Sequence, residues 1–187
     1  MDDPQLRKCI EQVKYGQMSS FSYVIEKYQK LALNIALPIV KSQEDAEEVV
    51  QDAFVKIYRF IHQYNGESRF SSWLYKIVYN TALTRMNTNA KQWIRDQDVK
   101  QELLNLGDTD ELNSSLDAPI KAELLEQAMG QLSDSDRLLV TLHYFGEKSL
   151  SEIAEITDWK TSKCKVKLMR ARQKLKEILY HRRDDLL

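Results

Sequence analysis

Apolar residues recur at intervals of three and four over residues 21–39, and this spacing restricts the fold more than any other feature of the chain. It places the side chains on one face of an α-helix, and that face must be buried against other elements. Only five glycines and three prolines occur in 187 residues, while 43% of the residues are hydrophobic, so long helices with packed cores are favoured. The sequence therefore predicts an all-α protein. The spaced residues are Phe21, Val24, Ile25, Tyr28, Leu31, Ala32, Ile35, Ala36 and Ile39.

Further helix signals complete a first domain over residues 1–90. Pro38 predicts that the first long helix ends or kinks nearby. Ser42 lies three residues before Asp45, which is typical of a helix N-cap, and the next helix is predicted to extend to about residue 61. The Asn65-Gly66 pair predicts a turn, after which apolar spacing resumes over about 71–86.

Residues 91–119 differ in composition from the segments on either side. They contain three basic and seven acidic residues, and the stretch 105–119 is rich in turn-forming residues. Such a composition favours an acidic, flexible linker, with a short helix at about 93–104.

A second, smaller helical domain is predicted over residues 120–187. Ser133 and Ser149 each begin a motif typical of a helix N-cap, and Gly146 is predicted to end the helix between them. A short helix over 150–157, a tight turn and a helix over 161–179 form the pattern of a helix-turn-helix.

The last helix concentrates positive charge. Residues 160–176 contain eight lysines or arginines and no acid, although the whole chain has 27 basic and 28 acidic residues. Solvated helices usually mix the two signs to form pairs within the helix, so this helix is predicted to face nucleic-acid phosphates. The predicted buried stripe is Cys164, Leu168, Ala171, Leu175 and Ile178, and the other positions are expected to face outward.

Several kinds of protein are disfavoured. Cys9 and Cys164 lie far apart and form no metal-binding spacing, and no glycine-rich phosphate loop is present. We therefore expect no metal, no cofactor and no enzyme activity. The longest nearly apolar run, 31–40, is about half of what a bilayer requires, and the N-terminus is acidic, so a cytoplasmic protein without membrane insertion is expected.

Two segments together carry a resemblance to a known family. Residues 45–86, which begin "DAEEVVQDAF", resemble the second region of bacterial sigma factors of the extracytoplasmic-function group, and residues 149–179 resemble their fourth region. The resemblance implies a promoter-specificity subunit that binds core RNA polymerase and promoter DNA and initiates transcription. It also implies control by an anti-sigma factor, which in this group is often membrane-bound.

The resemblance implies three groups of site residues. Core polymerase is expected to contact Glu48, Gln51, Asp52, Phe54 and Tyr58. The −10 element is expected to be bound and opened by Tyr64, Asn65, Arg69, Phe70, Lys76, Asn80 and Arg85. The −35 element is expected to contact Ser162, Lys163, Lys165, Val166, Lys167, Met169 and Arg170.

One alternative stays open, namely a conventional helix-turn-helix repressor or activator with an N-terminal helical regulatory domain. Such a protein would bind duplex DNA alone, usually as a dimer, and would not need the aromatic residues of segment 62–70.

A departure from the family pattern falls at Asp158, where glycine is frequent; aspartate tolerates the left-handed backbone that this turn requires.

Overall fold

The computed structural model describes residues 3–86 and 118–184, and within them it contains helices and turns but no β-strand. This confirms the all-α prediction. The predicted linker lies outside the described residues up to residue 117, as does the predicted helix over 93–104. The helices are α1 (Pro4–Lys14), α2 (Phe21–Val40), α3 (Gln43–Phe60), α4 (Phe70–Arg85), α5 (Ala118–Gly130), α6 (Asp134–Val140), α7 (Leu150–Thr157) and α8 (Thr161–Asp184).

The first helix, α1, was not among the predicted elements. Its signals were nevertheless present, because Asp3 accepts a hydrogen bond from the Gln5 backbone N–H at 2.9 Å and Pro4 occupies the first helical position. The helix buries Leu6 and Ile10 against the rest of the N-terminal unit.

Helices α2, α3 and α4 pack together and form the main core of the N-terminal unit. The buried residues of α2 include Val24, Ala32 and Ile35, as the apolar spacing predicted. Pro38 lies in the last turn of α2, and the helix ends at Val40, followed by Lys41 as its C-cap with a left-handed φ of 64°. Ser42 then starts α3, since its hydroxyl accepts a hydrogen bond from the Asp45 N–H at 3.3 Å.

The C-terminal unit contains α5 to α8 and has a core of its own between α5, α6 and α8. Between α6 and α7 the chain forms a π turn (Thr141–Phe145) that ends at Gly146. A Cβ at Gly146 would lie 2.6 Å from the Leu142 carbonyl oxygen, so only glycine fits there. The buried residues of this core are Ala128, Met129, Leu132, Val140, Leu168, Ala171 and Leu175.

Helices α7 and α8 form the predicted helix-turn-helix. Asp158 lies between them with φ 57° and ψ 26°. It therefore adopts the left-handed backbone conformation that the turn was expected to require. Cys164 is fully buried in α8, and burial raises the pKa of its thiol, which keeps it protonated and unreactive.

The two helical units are in direct contact. Leu138, Leu142, Ile153 and Trp159 of the C-terminal unit belong to one continuous hydrophobic cluster with the buried residues of α2, α3 and α4. None of the helices in the described residues combines the length and the apolar character that crossing a bilayer requires.

Candidate nucleic-acid interface

The outer face of α3 presents a mixed polar and apolar surface. Glu48, Gln51 and Asp52 are exposed, as expected for a docking surface. Phe54 is buried, and its ring lies with its edge toward Phe21 at a centroid distance of 6.2 Å. The prediction that Phe54 contacts a partner directly is therefore wrong for this conformation, because its position belongs to the inward stripe of α3.

Two apolar side chains on α3 were missed. Val55 is 49% exposed and Phe60 is 46% exposed, and Tyr58 between them is half-buried. Val55 follows Gln51 by one helical turn, so it extends the exposed polar face with an apolar contact. Val55 lies outside the apolar stripe that helical spacing defines on α3, and this is the sequence signal that could have identified it as an exposed contact residue.

The segment between α3 and α4 is held in one shape by local hydrogen bonds. The Tyr64 hydroxyl donates to the Ser68 carbonyl at 2.7 Å, and the Lys14 ammonium donates to the Tyr64 carbonyl at 3.0 Å. Asn65 accepts a hydrogen bond from the Glu67 N–H at 3.1 Å, and Gly66 has a φ of 81°, as the predicted turn requires. The turn leaves the Asn65 side chain exposed.

Three aromatic rings pack beneath this segment. Tyr64 lies 5.2 Å from Phe70 and 5.6 Å from Trp73, measured between ring centroids. Phe70 is fully buried, so the prediction that it stacks directly on a base is wrong for this conformation. Phe70 and Trp73 instead support Tyr64, which is half-buried and lies at the surface of the aromatic cluster.

The polar residues of α4 are distributed along its exposed side. Arg69 immediately precedes the helix, and Asn80 is exposed in its second half. The Lys76 ammonium lies 3.6 Å from the Asp158 carboxylate of the C-terminal unit. Near the end of α4, Arg85 donates to Asp45 at 2.9 Å and also pairs with Glu48.

The Arg85 contacts connect two predicted sites. The hydrogen bonds that the Arg85 guanidinium donates to the Asp45 carboxylate, together with its pairing with Glu48, raise its pKa, so it stays fully charged. Arg85 is therefore positioned between the α3 surface and the exposed side of α4. Its side chain is 42% exposed, so part of it is accessible to a partner.

Most of the predicted −35 residues lie at the surface of α8. Ser162 and Lys165 are exposed, and Lys163, Val166, Met169 and Arg170 are half-exposed. Lys163 also lies 5.2 Å from the centroid of the Trp159 ring. The N-terminal half of α8 thus presents cations together with two apolar side chains, a combination that suits the edges and backbone of a duplex groove.

Lys167 does not belong to this surface. It is only 6% exposed, and its ammonium donates to the Ser135 hydroxyl at 2.9 Å and lies 3.8 Å from the Asp136 carboxylate. The prediction that Lys167 contacts DNA is wrong for this conformation, because α6 covers that side of α8.

Comparisons with known proteins agree with this arrangement. Residues 24–92 match the family model of sigma-70 region 2, and residues 122–175 match that of sigma-70 region 4. Among curated relatives, the RNA polymerase sigma factor YlaC of Bacillus subtilis is 30% identical over 166 residues, which are 89% of this chain and 95% of that protein. The RNA polymerase sigma-H factor of Pseudomonas aeruginosa is 28% identical over 182 residues, which are 94% of each chain.

Solved structures share the fold. CnrH, solved in complex with the cytosolic domain of CnrY, aligns with a TM-score of 0.59 and 18% identity, covering 94% of this chain and 97% of that one. The sigma factor RpoE of Bartonella quintana, solved with the anti-sigma factor NepR, aligns with a TM-score of 0.59 and 22% identity, covering 87% and 98%. With both characteristic regions in order, the chain belongs to the sigma-70 family of RNA polymerase sigma factors, in its extracytoplasmic-function group.

Proposed function

We propose that this chain is a promoter-specificity subunit of bacterial RNA polymerase. It binds the core enzyme, recognises the −10 and −35 promoter elements and initiates transcription. The observation that carries the proposal is the presence, in one chain and in this order, of both sigma regions, each with the surface that its task requires. The chain itself binds and positions, while RNA synthesis takes place in the core enzyme, so we assign it no catalytic residue.

The exposed face of α3 is the proposed contact with core polymerase. Glu48, Gln51 and Asp52 supply polar groups, and Val55 supplies an apolar centre. Protein interfaces typically combine an apolar core with a polar rim, and this face has both.

The segment after α3, together with α4, is the proposed contact with the −10 element. Strand opening requires a site that stabilises an extruded base, and stacking on an aromatic ring contributes about 1–3 kcal/mol of stabilisation per base. We assign this role to Tyr64, because its half-buried ring packs on Phe70 and Trp73 and these contacts support it. Asn65 supplies polar contacts to base edges, and Arg69 lies close by to hold a phosphate.

The N-terminal half of α8 is the proposed contact with the −35 element. A lysine or arginine that donates to a guanine edge contributes about 1–3 kcal/mol of discrimination against other bases. Of the exposed or half-exposed cations of this surface, Lys163 lies over the Trp159 ring, and we assign base contacts to the other two, Lys165 and Arg170. The flanking cations Arg172, Lys174 and Lys176 then suit the phosphate backbone.

An anti-sigma factor is the proposed regulator, because the similar sigma factor RpoE of Bartonella quintana was solved in complex with the anti-sigma factor NepR. Because promoter DNA and core polymerase are both in the cytoplasm, we also propose that the chain is cytoplasmic.

Transcription with purified core polymerase tests the function. Core enzyme that receives this chain should produce run-off transcripts from a discrete set of fragments in a genomic library, and the chain should co-purify with the core. A repressor or activator of the conventional type would instead bind operators alone as a dimer and would leave the core enzyme unbound.

Two sets of variants separate the steps. Lys165→Ala and Arg170→Ala should keep co-purification but lose about tenfold or more in selective initiation, which corresponds to 1.4 kcal/mol. The double variant Gln51→Ala/Asp52→Ala should lose co-purification with the core enzyme. The matched control Gln43→Ala/Glu47→Ala, whose sites lie about two turns and one turn earlier on α3, should retain it. Selectivity that survives both α8 substitutions would remove these residues from the base-contacting surface.

A further inference from the structure

Helix α1 precedes the residues that match sigma-70 region 2, so that match does not account for it. Its apolar side chains, which include Leu6, Ile10 and Val13, are buried in one hydrophobic cluster with those of α2, α3 and α4. Burial of apolar surface explains why α1 packs onto the N-terminal unit. It does not explain the polar contacts at the two ends of the helix.

The start of α1 is fixed to α2 through the Asp3 carboxylate. This group accepts hydrogen bonds from the Lys27 ammonium at 2.7 Å and from the Tyr23 hydroxyl at 2.9 Å. The hydrogen bond from Lys27 is the largest of the contributions that lower the pKa of Asp3 to about 2, so the carboxylate is charged at neutral pH. One end of α1 is therefore held in place on α2.

The end of α1 is also well defined. The Ser20 hydroxyl, just before α2, donates to the side-chain oxygen of Gln12 at 2.9 Å. The Gln17 N–H donates to the Gln12 carbonyl at 2.9 Å, and Gly16 adopts a left-handed φ of 87°, which is a common way for a helix to end. The last turn of α1, which contains Lys14, thus has a fixed position.

Lys14 connects this last turn to the segment between α3 and α4. Its ammonium donates to the Tyr64 carbonyl at 3.0 Å, pairs with Glu11 at 3.5 Å and lies 5.8 Å from the centroid of the Tyr64 ring. The Lys14 side chain is only 25% exposed, so water competes weakly for these contacts. A hydrogen bond from a charged donor is stronger than one between neutral groups. Lys14 therefore ties Tyr64 to a helix that lies 50 residues earlier in the chain.

Tyr64 is held by two separate parts of the unit. Its hydroxyl donates to the Ser68 carbonyl, and its ring packs on Phe70 and Trp73, all of which follow it in the chain. Its backbone carbonyl is held by Lys14 of α1. The backbone contact restrains the base of the side chain, and the ring contacts restrain its tip.

We propose that Lys14 is a positioning residue for promoter opening, because it holds Tyr64 in the orientation in which the ring receives an extruded base. The inference rests on the proposed function and on the role assigned there to Tyr64. A ring that is already in place does not have to be ordered when the base arrives, so more of the stacking energy contributes to binding. A segment without this restraint is competent for only part of the time, and its apparent affinity for the opened strand falls by that fraction.

Three substitutions in the full chain test the role of Lys14. Lys14→Met keeps an unbranched apolar stem and removes the ammonium, whereas Lys14→Arg keeps a charged donor. Lys8→Met makes the same change as the first variant at an exposed position of α1 and is the matched control. Circular dichroism checks that all three variants retain the helical fold.

Hydrogen–deuterium exchange of the free chain measures the positioning by itself. We expect the amides of residues 62–68 to exchange at least threefold faster in Lys14→Met than in the parent chain, since amide exchange reports local opening. Lys14→Arg should restore slow exchange, and Lys8→Met should not change it. Equal exchange in the parent chain and in Lys14→Met would overturn the proposal, whatever the chain does with polymerase.

Permanganate footprinting with core polymerase measures strand opening on a promoter that the parent chain uses. Lys14→Met should reduce opening three- to tenfold without reducing co-purification with the core enzyme, and Lys14→Arg should recover most of the loss. In a Tyr64→Leu background, Lys14→Met should add little, because its effect acts through the Tyr64 ring.

Two results of the footprinting would contradict the role of Lys14. One is unchanged opening with Lys14→Met, and the other is a loss of the same size with and without the Tyr64 ring. A parent chain that opens no promoter would overturn the proposed function, while the exchange measurement would still decide whether Lys14 positions Tyr64.

Discussion

At the scale of single residues, Lys167 shows how packing can remove a charged side chain from a surface to which the helical pattern assigned it. The position precedes Leu168 of the buried stripe by one residue, so periodicity alone places it at the edge of the outward face. In the structure α6 covers that edge. The Lys167 ammonium donates to the Ser135 hydroxyl and pairs with the Asp136 carboxylate. No pattern within α8 contains this information, because the partners lie about 30 residues earlier in the chain.

The burial of Lys167 predicts a stability effect in place of a DNA-binding effect. Lys167→Ala removes the donor to the buried Ser135 hydroxyl and the positive charge beside Asp136, so we expect a loss of about 1–3 kcal/mol in the free energy of unfolding. Lys165→Ala, on the exposed side of the same helix, should change it by less than about 0.5 kcal/mol. Urea unfolding followed by circular dichroism measures both values. Unchanged stability of Lys167→Ala combined with weaker −35 binding would return Lys167 to the DNA surface.

At the scale of elements, α7 was well predicted from sequence, including its limits and its cap. Ser149 accepts a hydrogen bond from the Glu152 N–H, and Glu152 accepts one from the Ser149 N–H at 3.0 Å, which completes the capping box. The spacing of these two residues is a local signal and could be found without a structure. Another partner of Glu152, the Ser72 hydroxyl, is 80 residues away in the sequence and could not be predicted from such a signal.

These contacts change the ionisation of Glu152. Burial opposes the charged form, but the hydrogen bonds from the Ser149 N–H and from the hydroxyls of Ser72 and Ser149 outweigh it, and the pKa falls from 4.5 to about 2. Since the pKa is lower in the folded chain, the ionised carboxylate contributes stability that is fully present above about pH 4.5. That contribution is lost as the pH falls toward 2.

Glu152→Gln tests this linkage because glutamine keeps the shape of the cap and removes the titrating group. We expect the variant to be less stable than the parent chain at pH 7 by about 1–3 kcal/mol, and the difference to shrink as the pH falls below 4.5. Urea midpoints measured from pH 7 to pH 2.5 give the comparison, with Glu155→Gln on the same helix as the control. A difference that stays constant across this range would contradict the assignment of the low pKa to Glu152.

At the scale of the whole molecule, the sequence predicted two helical units but not their contact. Apolar spacing identified the stripes of α2, α3 and α8 because those stripes repeat within a helix. The face of α4 that meets the C-terminal unit contains Ser72, Tyr75 and Tyr79, which follow helical spacing but mix polar and aromatic side chains, so no apolar stripe identifies this face as buried. Composition suggested separate domains, whereas Leu138, Leu142 and Trp159 join both units in one cluster.

This shared cluster predicts cooperative unfolding, because neither unit can lose its packing without exposing apolar surface of the other. We expect the parent chain to unfold in urea with the same midpoint by tryptophan fluorescence and by circular dichroism. Lys148→Met keeps an apolar stem of similar length but removes the donor to Ser71, so it weakens the contact and should separate the two midpoints. Lys174→Met makes the same change on the exposed side of α8 and should leave them coincident. Two resolved transitions in the parent chain would mean that the units fold independently and that the contact adds little to either.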